Sequence, residues 1–464
     1  MNRPRTIAAA VVAAFAPLAL AAAAPAHAAG HDPKTPIKHF VFLLQENHTF
    51  DNYFGTRAGV DGIPPNVCMP VKPPAPKPCI RPFHIGAQGS TDLDHNLDAF
   101  DRQYDHGKMD GFVASDAQGQ GKLAMGYYDR RDLPYYWRVA DNYVLFDHFF
   151  SSATAGSPVN HLFSVAARGG IGPNVSDAVP ANGWGNRIPT IFDRLQAAGV
   201  SWKFYVQNYD PRITYRTRAQ AGPDRSSQVI WVPLLAMNRF IDNPQLASHI
   251  VDASQYYQDV ANGTLPSVSF IVPAGDSEHP PGRVQSGETF VRALVTELQR
   301  SRYWPSSAFL WSYDDWGGFY DHVKPPQVDS EGYGFRVPAL LVSPYARRGY
   351  VDHTTFDFTS VLKFIEQNWS VPPLASRDAR ATSIANAFNF SMKPRPAVLL
   401  DRTAVPPSAP KVHRAPVLAI YLASIGLMTV LVAVLLLTDR RSRRRRAAAS
   451  DGQPPSRQLV SADR

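Results

Sequence analysis

Two pairs of oxygen-bearing side chains stand where two apolar runs stop. Glu46-Asn47 follows HFVFLLQ, and Asp314-Asp315 follows SAFLWSY. Each run has the length and the β-branched or aromatic content of a buried strand. In open α/β sheets, ligands bind beyond the carboxyl ends of the strands. Two strand ends presenting three carboxylates and an amide therefore read as one cation site, assembled from segments far apart in the chain. Adjacent carboxylates such as Asp314 and Asp315 ionise together only when a cation offsets their repulsion. Hard oxygen donors of this kind suit one divalent metal ion that organises a phosphate group. Ligand type alone leaves its identity open among calcium, magnesium, manganese, iron and zinc.

Three further segments join reactive side chains to sharp turns. In SSATAGSPVNHLF, Pro158 follows Ser157, and proline is favoured at the start of a helix. Ser157 then sits at a helix N-terminus, where exposed N–H groups and the positive dipole end favour an anion. That setting suits an attacking alkoxide or a bound phosphate, with Asn160 and His161 in reach of phosphate oxygens from the first turn. An ordinary serine cap explains the same segment. In GDSEHPPG, paired prolines hold His279 in a rigid loop. There a histidine can ligate metal or protonate a leaving oxygen, or simply lie on the surface. In SYDDWGGFYDHV, Gly317 and Gly318 permit close backbone approach, and Trp316 and Tyr320 are placed to wall a pocket.

The elements that must position these residues follow from the apolar pattern. Strands are predicted at 38–45, 200–205, 266–272, 307–313 and 336–342. Helices are predicted at 133–148, 159–168, 190–198, 286–300 and 357–369. Phe290, Leu294 and Leu298 recur at helical spacing, and Gly169-Gly170 provides a stop for 159–168. Uninterrupted apolar strands between helices imply an α/β fold, with a mostly parallel sheet covered on both faces. The Gly-, Pro- and Asp-rich stretch 52–130 reads as loops over the site. Cys68 and Cys79, in a Pro-rich stretch, read as a disulfide closing a surface loop.

The two ends of the chain carry a topology signal. Arg3 and Arg5, an apolar run from Ile7 to Ala24, and Ala26-His27-Ala28 have the anatomy of a secretory signal peptide over 1–29. Pro416 to Leu437 is 22 residues without a charge, long enough to cross about 30 Å of hydrocarbon as a transmembrane helix. The arginine block that follows keeps the basic tail, 438–464, in the cytoplasm. The expectation is a single-pass cell-membrane protein with its large domain outside, joined by a Pro-rich stalk over 403–415. The ends also explain the net charge of +8: residues 439–464 hold eight Arg and three Asp, or +5, and the signal adds +2, leaving +1. Basicity is therefore no argument for nucleic-acid binding.

Taken together, the ordered segments ENHTFDNYFGT, KMDGFV (108–113), MGYYDRRDLPYYWRVAD (125–141), GSPVNH, EHPP, YDDWGGFYDHV and RVPALLVSPYARRGYVDHT (336–354) resemble the bacterial phospholipase C and acid phosphatase group of phosphoesterases, relatives of the alkaline phosphatase superfamily. The resemblance covers about 38 to 390 and makes 31–402 the phosphoesterase domain. It implies a three-layer α/β/α fold, alkaline phosphatase-like, and hydrolysis through a covalent phospho-enzyme. By that resemblance Glu46, Asn47, Asp314 and Asp315 hold the metal, Ser157 is the nucleophile, and His279 and His95 lie at the phosphate. The chain departs from the family at Phe358, where histidine is common, and Phe358 receives no role. Serine at the nucleophile position resembles the acid phosphatase branch. The expected substrate is thus a phosphomonoester or, close behind, a phospholipid head group, with an inactive surface-binding module as the alternative from another class.

Overall fold

The computed structural model describes residues 32–400 except 87–88, 117 and 171–176. The chain divides into two units between Val405 and Pro406, and everything described lies in the first. The expected signal peptide, stalk, membrane helix and basic tail lie outside the described residues, and among those residues no helix is long and apolar enough to cross a membrane.

Eight strands form the central sheet: β1 (His39–Gln45), β2 (Val144–Phe146), β3 (Trp202–Val206), β4 (Ile250–Asp252), β5 (Val268–Val272), β6 (Ser307–Tyr313), β7 (Ala339–Val342) and β8 (Tyr350–Asp352). Their order is β8-β2-β7-β6-β1-β5-β3-β4. Only β7 runs against its neighbours; β1, β3, β4, β5 and β6 pair in parallel, and so do β2 and β8. Strands covered on both faces need apolar side chains on both, which is why β1 and β6 read as unbroken hydrophobic runs.

Seven helices bear on the site and its support: α1 (Phe50–Phe54), α2 (Leu97–Tyr104), α3 (Pro134–Asn142), α4 (Ser157–Ala166), α5 (Ile191–Ala197), α6 (Val284–Arg300) and α7 (Phe358–Trp369). On one face of the sheet Phe42 packs against Phe358 of α7, whose neighbour is α4. On the other, Trp311, beside Leu43 in the register, packs against Tyr136 of α3. The sheet is thus covered on both sides, as the strand pattern requires. Phe290, Leu294 and Leu298 form the buried side of α6, and Phe358 is a fully buried core residue.

The structure departs from the sequence reading in several places. The helix expected over 133–148 stops at Asn142, and Val144–Phe146 is a strand, because that apolar stretch pairs with both β7 and β8. The helix at Ser157 ends on Ala167 in the left-handed region (φ 56°), two residues before the glycines. Stretch 52–130 contains α1, α2, a short ribbon of Met69–Lys72 with Ala75–Ile80, and several single turns. Leu93, Phe100, Met109 and Phe112 from this stretch form a second small core with Trp316, Phe319, Tyr320 and Phe335. Trp316 and Tyr320 are therefore packing residues beneath the site, and they do not line its cleft. Cys68 and Cys79 are joined across the ribbon, their Cα atoms 5.4 Å apart.

Candidate active site

The register of β1 on β6 places Gln45 opposite Tyr313, so Glu46-Asn47 and Asp314-Asp315 emerge side by side at the carboxyl edge of the sheet. Asp314 N donates to Gln45 O at 3.0 Å, continuing the ladder by one bond. The chain then turns sharply at both ends. Asn47 has φ 66°, a left-handed conformation that asparagine tolerates better than most residues. Gly317 has φ 58°, and a Cβ there would stand 2.3 Å from Asn47 O. The close backbone approach expected of the Gly-Gly pair is thus made against Asn47.

Helix α4 brings the nucleophile candidate to the same edge. Ser157 is its first residue, and Ser157 Oγ lies 3.2 Å from Asp315 Oδ2 and 3.4 Å from Glu46 Oε2. The convergence expected from residues 46, 157 and 314–315 is therefore present. His161, one turn along α4, sits differently from its expected place at the phosphate. Its Nε2 is 2.7 Å from Glu46 Oε1 and 3.6 Å from Asp314 Oδ2, with the ring fully buried. It joins the carboxylate cluster as an imidazole donor. Asn160 also departs from expectation. Its amide oxygen accepts from Ala153 N and its nitrogen donates to Ala155 O at 2.6 Å, so the side chain is spent on the loop before Ser157 and touches no cleft space.

Across from Ser157 stand His95 and His279. Each turns Nδ1 to a backbone carbonyl: Leu93 O at 2.7 Å and Pro280 O at 2.6 Å. In a neutral ring Nδ1 then carries the hydrogen and Nε2 is an acceptor. The Asn47 amide lies between the two Nε2 atoms, 3.0 Å from His95 and 3.1 Å from His279. With its NH₂ donating to both neutral rings, the Asn47 oxygen is left facing Glu46 Oε2 at 3.2 Å and Asp314 Oδ1 at 2.9 Å. The opposite amide orientation satisfies the carboxylates, yet it needs a hydrogen on both Nε2 atoms.

The electrostatics of this cluster fit a cation. Burial pushes the Glu46 carboxyl up to about 7, and Asp314 and Asp315 are driven well above the ordinary range, by burial first and then by neighbouring carboxyls. Burial lowers His161 to about 4, so its ring is neutral. Asp314 Oδ2 is buried with no hydrogen-bond partner. Buried carboxylate oxygens crowded against an amide oxygen and an imidazole nitrogen, with Asp314 Oδ2 lacking any donor, suit a metal cation. The residues present thus fit a metal ion, which Glu46, Asn47, Asp314 and His161 would hold, with Asp315 between that cluster and Ser157. Asp51, Asp321 and His322 are also close-set. There the fully buried Arg336 supplies the positive charge, 2.8 Å from Asp321 and 3.1 Å from Asp51.

Two carboxylates without an expected role support the geometry. Glu278, buried beside His279, accepts from the hydroxyls of Tyr53, Tyr136 and Tyr313, and its N–H donates to Gln45 Oε1 at 3.0 Å. It fixes the histidine loop to the ends of β1 and β6. Asp177 accepts from Gly156 N at 2.9 Å and Leu97 N at 3.0 Å. One side chain thereby ties the backbone before Ser157 to the start of α2, two residues after His95. Asp177→Ala is expected to lower kcat about tenfold with a modest loss of thermal stability, since it leaves the buried Gly156 N–H and the half-buried Leu97 N–H without their acceptor and loosens nucleophile against histidine. Asp177→Asn, which keeps one acceptor oxygen, should recover part of the rate; an unchanged kcat in the alanine variant would remove the role.

The cleft above these groups has a volume of about 320 Å³ and is lined by Ser157, His95, His279, Glu46, Ile230 and Trp231, with Asp92, Asp94 and Asp177 at its rim. No lysine or arginine lines it among the described residues.

Comparison with known proteins places this geometry. Residues 37–372 match the Phosphoesterase family. Phospholipase C B of Mycobacterium tuberculosis (strain CDC 1551 / Oshkosh) is 31% identical over 453 residues, covering 84% of this chain and 85% of that protein. Hemolytic phospholipase C of Pseudomonas aeruginosa is 29% identical, covering 80% of this chain and 58% of that protein. Among solved structures, a protein in the alkaline phosphatase superfamily from Vibrio parahaemolyticus aligns at 13% identity with a TM-score of 0.34, covering 75% of this chain and 74% of that one. A strand-edge carboxylate cluster, a serine at a helix start and two facing histidines, on a chain matched over most of its length, place this protein in the Phosphoesterase family as a phosphoric ester hydrolase.

Proposed function

We propose that this chain is a divalent-cation-dependent phosphodiesterase of the phospholipase C type, exported and tethered to the cell membrane through residues 416–437, with Ser157 as its nucleophile. The observation that carries the reading is Ser157 Oγ at 3.2 and 3.4 Å from two buried carboxylates, facing two histidines across one small cleft. A divalent ion held by Glu46, Asn47, Asp314 and His161 would supply positive charge for a phosphate oxygen and make the serine hydroxyl easier to deprotonate. The remaining steps belong to side chains. Ser157 Oγ gives its hydrogen to the Asp315 or Glu46 carboxylate as it attacks phosphorus in line. The first N–H groups of α4 face the charge that builds on the phosphoryl oxygens. His95 or His279, protonated at Nε2 when substrate is bound, gives that proton to the departing alcohol oxygen and later takes one from the water that releases the phosphomonoester, while the carboxylate returns its proton to Ser157 Oγ.

The rim favours a diester over a monoester. Asp92, Asp94 and Asp177, with no basic residue among the described lining, repel a dianionic phosphomonoester. They complement a phosphodiester whose alcohol carries an ammonium group, for which the Trp231 indole offers a cation–π face. The two relatives cited above are phospholipases C by name. Nitrophenyl phosphorylcholine and nitrophenyl phosphate, each with and without chelator, test the reading. Chelator-sensitive release from the choline ester, well above that from the monoester, is expected. The reverse ranking selects a phosphomonoesterase, and binding without turnover of either selects an inactive module.

A further inference from the structure

We propose that the end of the domain opposite the cleft docks on an anionic lipid bilayer. The inference deepens the proposed membrane location and uses nothing of the proposed chemistry. The segments that precede β1 and β6, the turn after β7 and the last described residues all lie at the amino edge of the parallel strands. Hydrogen bonds join them into one surface. Trp304 Nε1 donates to Arg395 O at 2.8 Å, Arg395 Nη2 to Ala346 O at 2.7 Å, and Gln299 Nε2 to Val398 O at 3.3 Å.

This surface is strongly basic. Lys38, Arg300, Arg302, Arg347, Arg348 and Lys393 are all exposed on it. None of the six pairs with a carboxylate among the described residues, and Asp141, an exposed acid nearby, is already engaged by Arg57 at 3.0 Å and Arg130 at 2.9 Å. The like charges crowd: Arg395 is pushed below its ordinary value by burial first and by Arg348 as well. Val398 and Leu399, 40% and 41% exposed, belong to this surface and are two of the three large hydrophobic side chains exposed among the described residues. The cleft, at the other end of the strands, carries acids instead.

A basic surface around an apolar pair suits anionic head groups, and the sequence says where such a surface would be met. The described chain ends on this face at Leu400, and residues 401–415 separate it from the 22-residue apolar run. Fifteen extended residues reach about 50 Å, so the stalk allows the domain to stand clear of the bilayer. Charge complementarity draws it down. The strands of β1 length span about 23 Å, and the cleft then opens away from the supporting bilayer, toward soluble diesters or a facing membrane.

The test uses the full chain in lipid nanodiscs of phosphatidylcholine alone or mixed with phosphatidylglycerol, with chelator present so that no turnover enters the result. Co-purification with the zwitterionic disc reads the membrane helix by itself. Backbone hydrogen exchange at 300–303, 346–350 and 391–394 should then slow several-fold in the anionic disc only. The effect should vanish near about 1 M salt, where screening acts within about 3 Å. Arg300→Glu, Arg302→Glu, Arg347→Glu and Arg348→Glu together should abolish the difference while the far-UV circular dichroism spectrum, which reports folding, stays as in the wild type. Equal exchange in the two discs, or slowing at 92–96 beside the cleft instead, overturns the proposal; the salt series on the unmodified chain decides even where the fourfold variant does not fold.

Discussion

Ser157→Ala is expected to lower kcat by at least about a thousandfold while the fold and the binding of cation and phosphate persist. The side chain contributes one hydroxyl to a loop held by other groups: Asn160 binds the backbone at 153 and 155, and Asp177 binds Gly156 N. Alanine therefore removes the attacking atom without removing the scaffold. What remains is the α4 N-terminus, the carboxylate cluster and the two histidines, which bind a phosphate group but have no atom to bond to it. Acid quench of the wild-type enzyme during turnover should trap the phosphoryl group, still esterified to its second alcohol, on Ser157, and the variant should trap none. Residual activity within tenfold of wild type, or the phosphoryl group trapped on another residue, would remove Ser157 from the nucleophile role.

The parts of this site that were legible in the sequence are those fixed by local pattern. A run such as HFVFLLQ or SAFLWSY is long enough to declare a doubly covered strand. The polar pair behind it then lies at the carboxyl edge by geometry alone, so Glu46, Asn47, Asp314 and Asp315 were readable. Ser157 was readable because Pro158 marks a helix start. The edge strands Ile250–Asp252 and Tyr350–Asp352 were not, since three residues carry no period. Val144–Phe146 was hidden for a related reason: it follows α3 after one residue, and its apolar side chains extend the helical pattern.

Side-chain direction was the second thing the sequence withheld. Asn160 and His161 are adjacent on α4, roughly 100° apart around its axis. That rotation sends the amide back to the loop at 153–156 and the imidazole into the carboxylates. Nothing in SPVNHLF distinguishes these outcomes, because they depend on where β1 and β6 lie relative to the helix. Asp177 and Glu278 were missed because their partners are backbone N–H groups and tyrosine hydroxyls brought close only by the fold.

Removing the divalent cation is expected to destabilise the protein in a pH-dependent way whose sign follows from the buried carboxyls. Without a cation, Glu46 is raised to about 7 from an ordinary 4.5, and Asp314 and Asp315 are raised further by burial and mutual repulsion. Groups whose folded pKa exceeds the unfolded value stabilise the fold fully below the unfolded pKa and lose that contribution as pH rises through the folded one. The chelated protein should therefore lose stability from about pH 4.5 upward through about pH 7, as carboxyls only a few ångströms apart are forced to ionise together. A bound cation binds the ionised cluster and opposes that loss, and binding to the folded state alone raises Tm. The difference in Tm between cation-loaded and chelated protein isolates this cluster from other titrating groups. It should be small near about pH 5 and reach several degrees near about pH 8. Asp314→Asn removes one of the crowded charges, so it should flatten that pH dependence. It should also weaken cation affinity by more than the roughly 10–100-fold typical of residues that only support a ligand. A Tm difference that is the same at both pH values, or an Asp314→Asn protein that binds the cation as tightly as wild type, would mean that these carboxyls do not hold it.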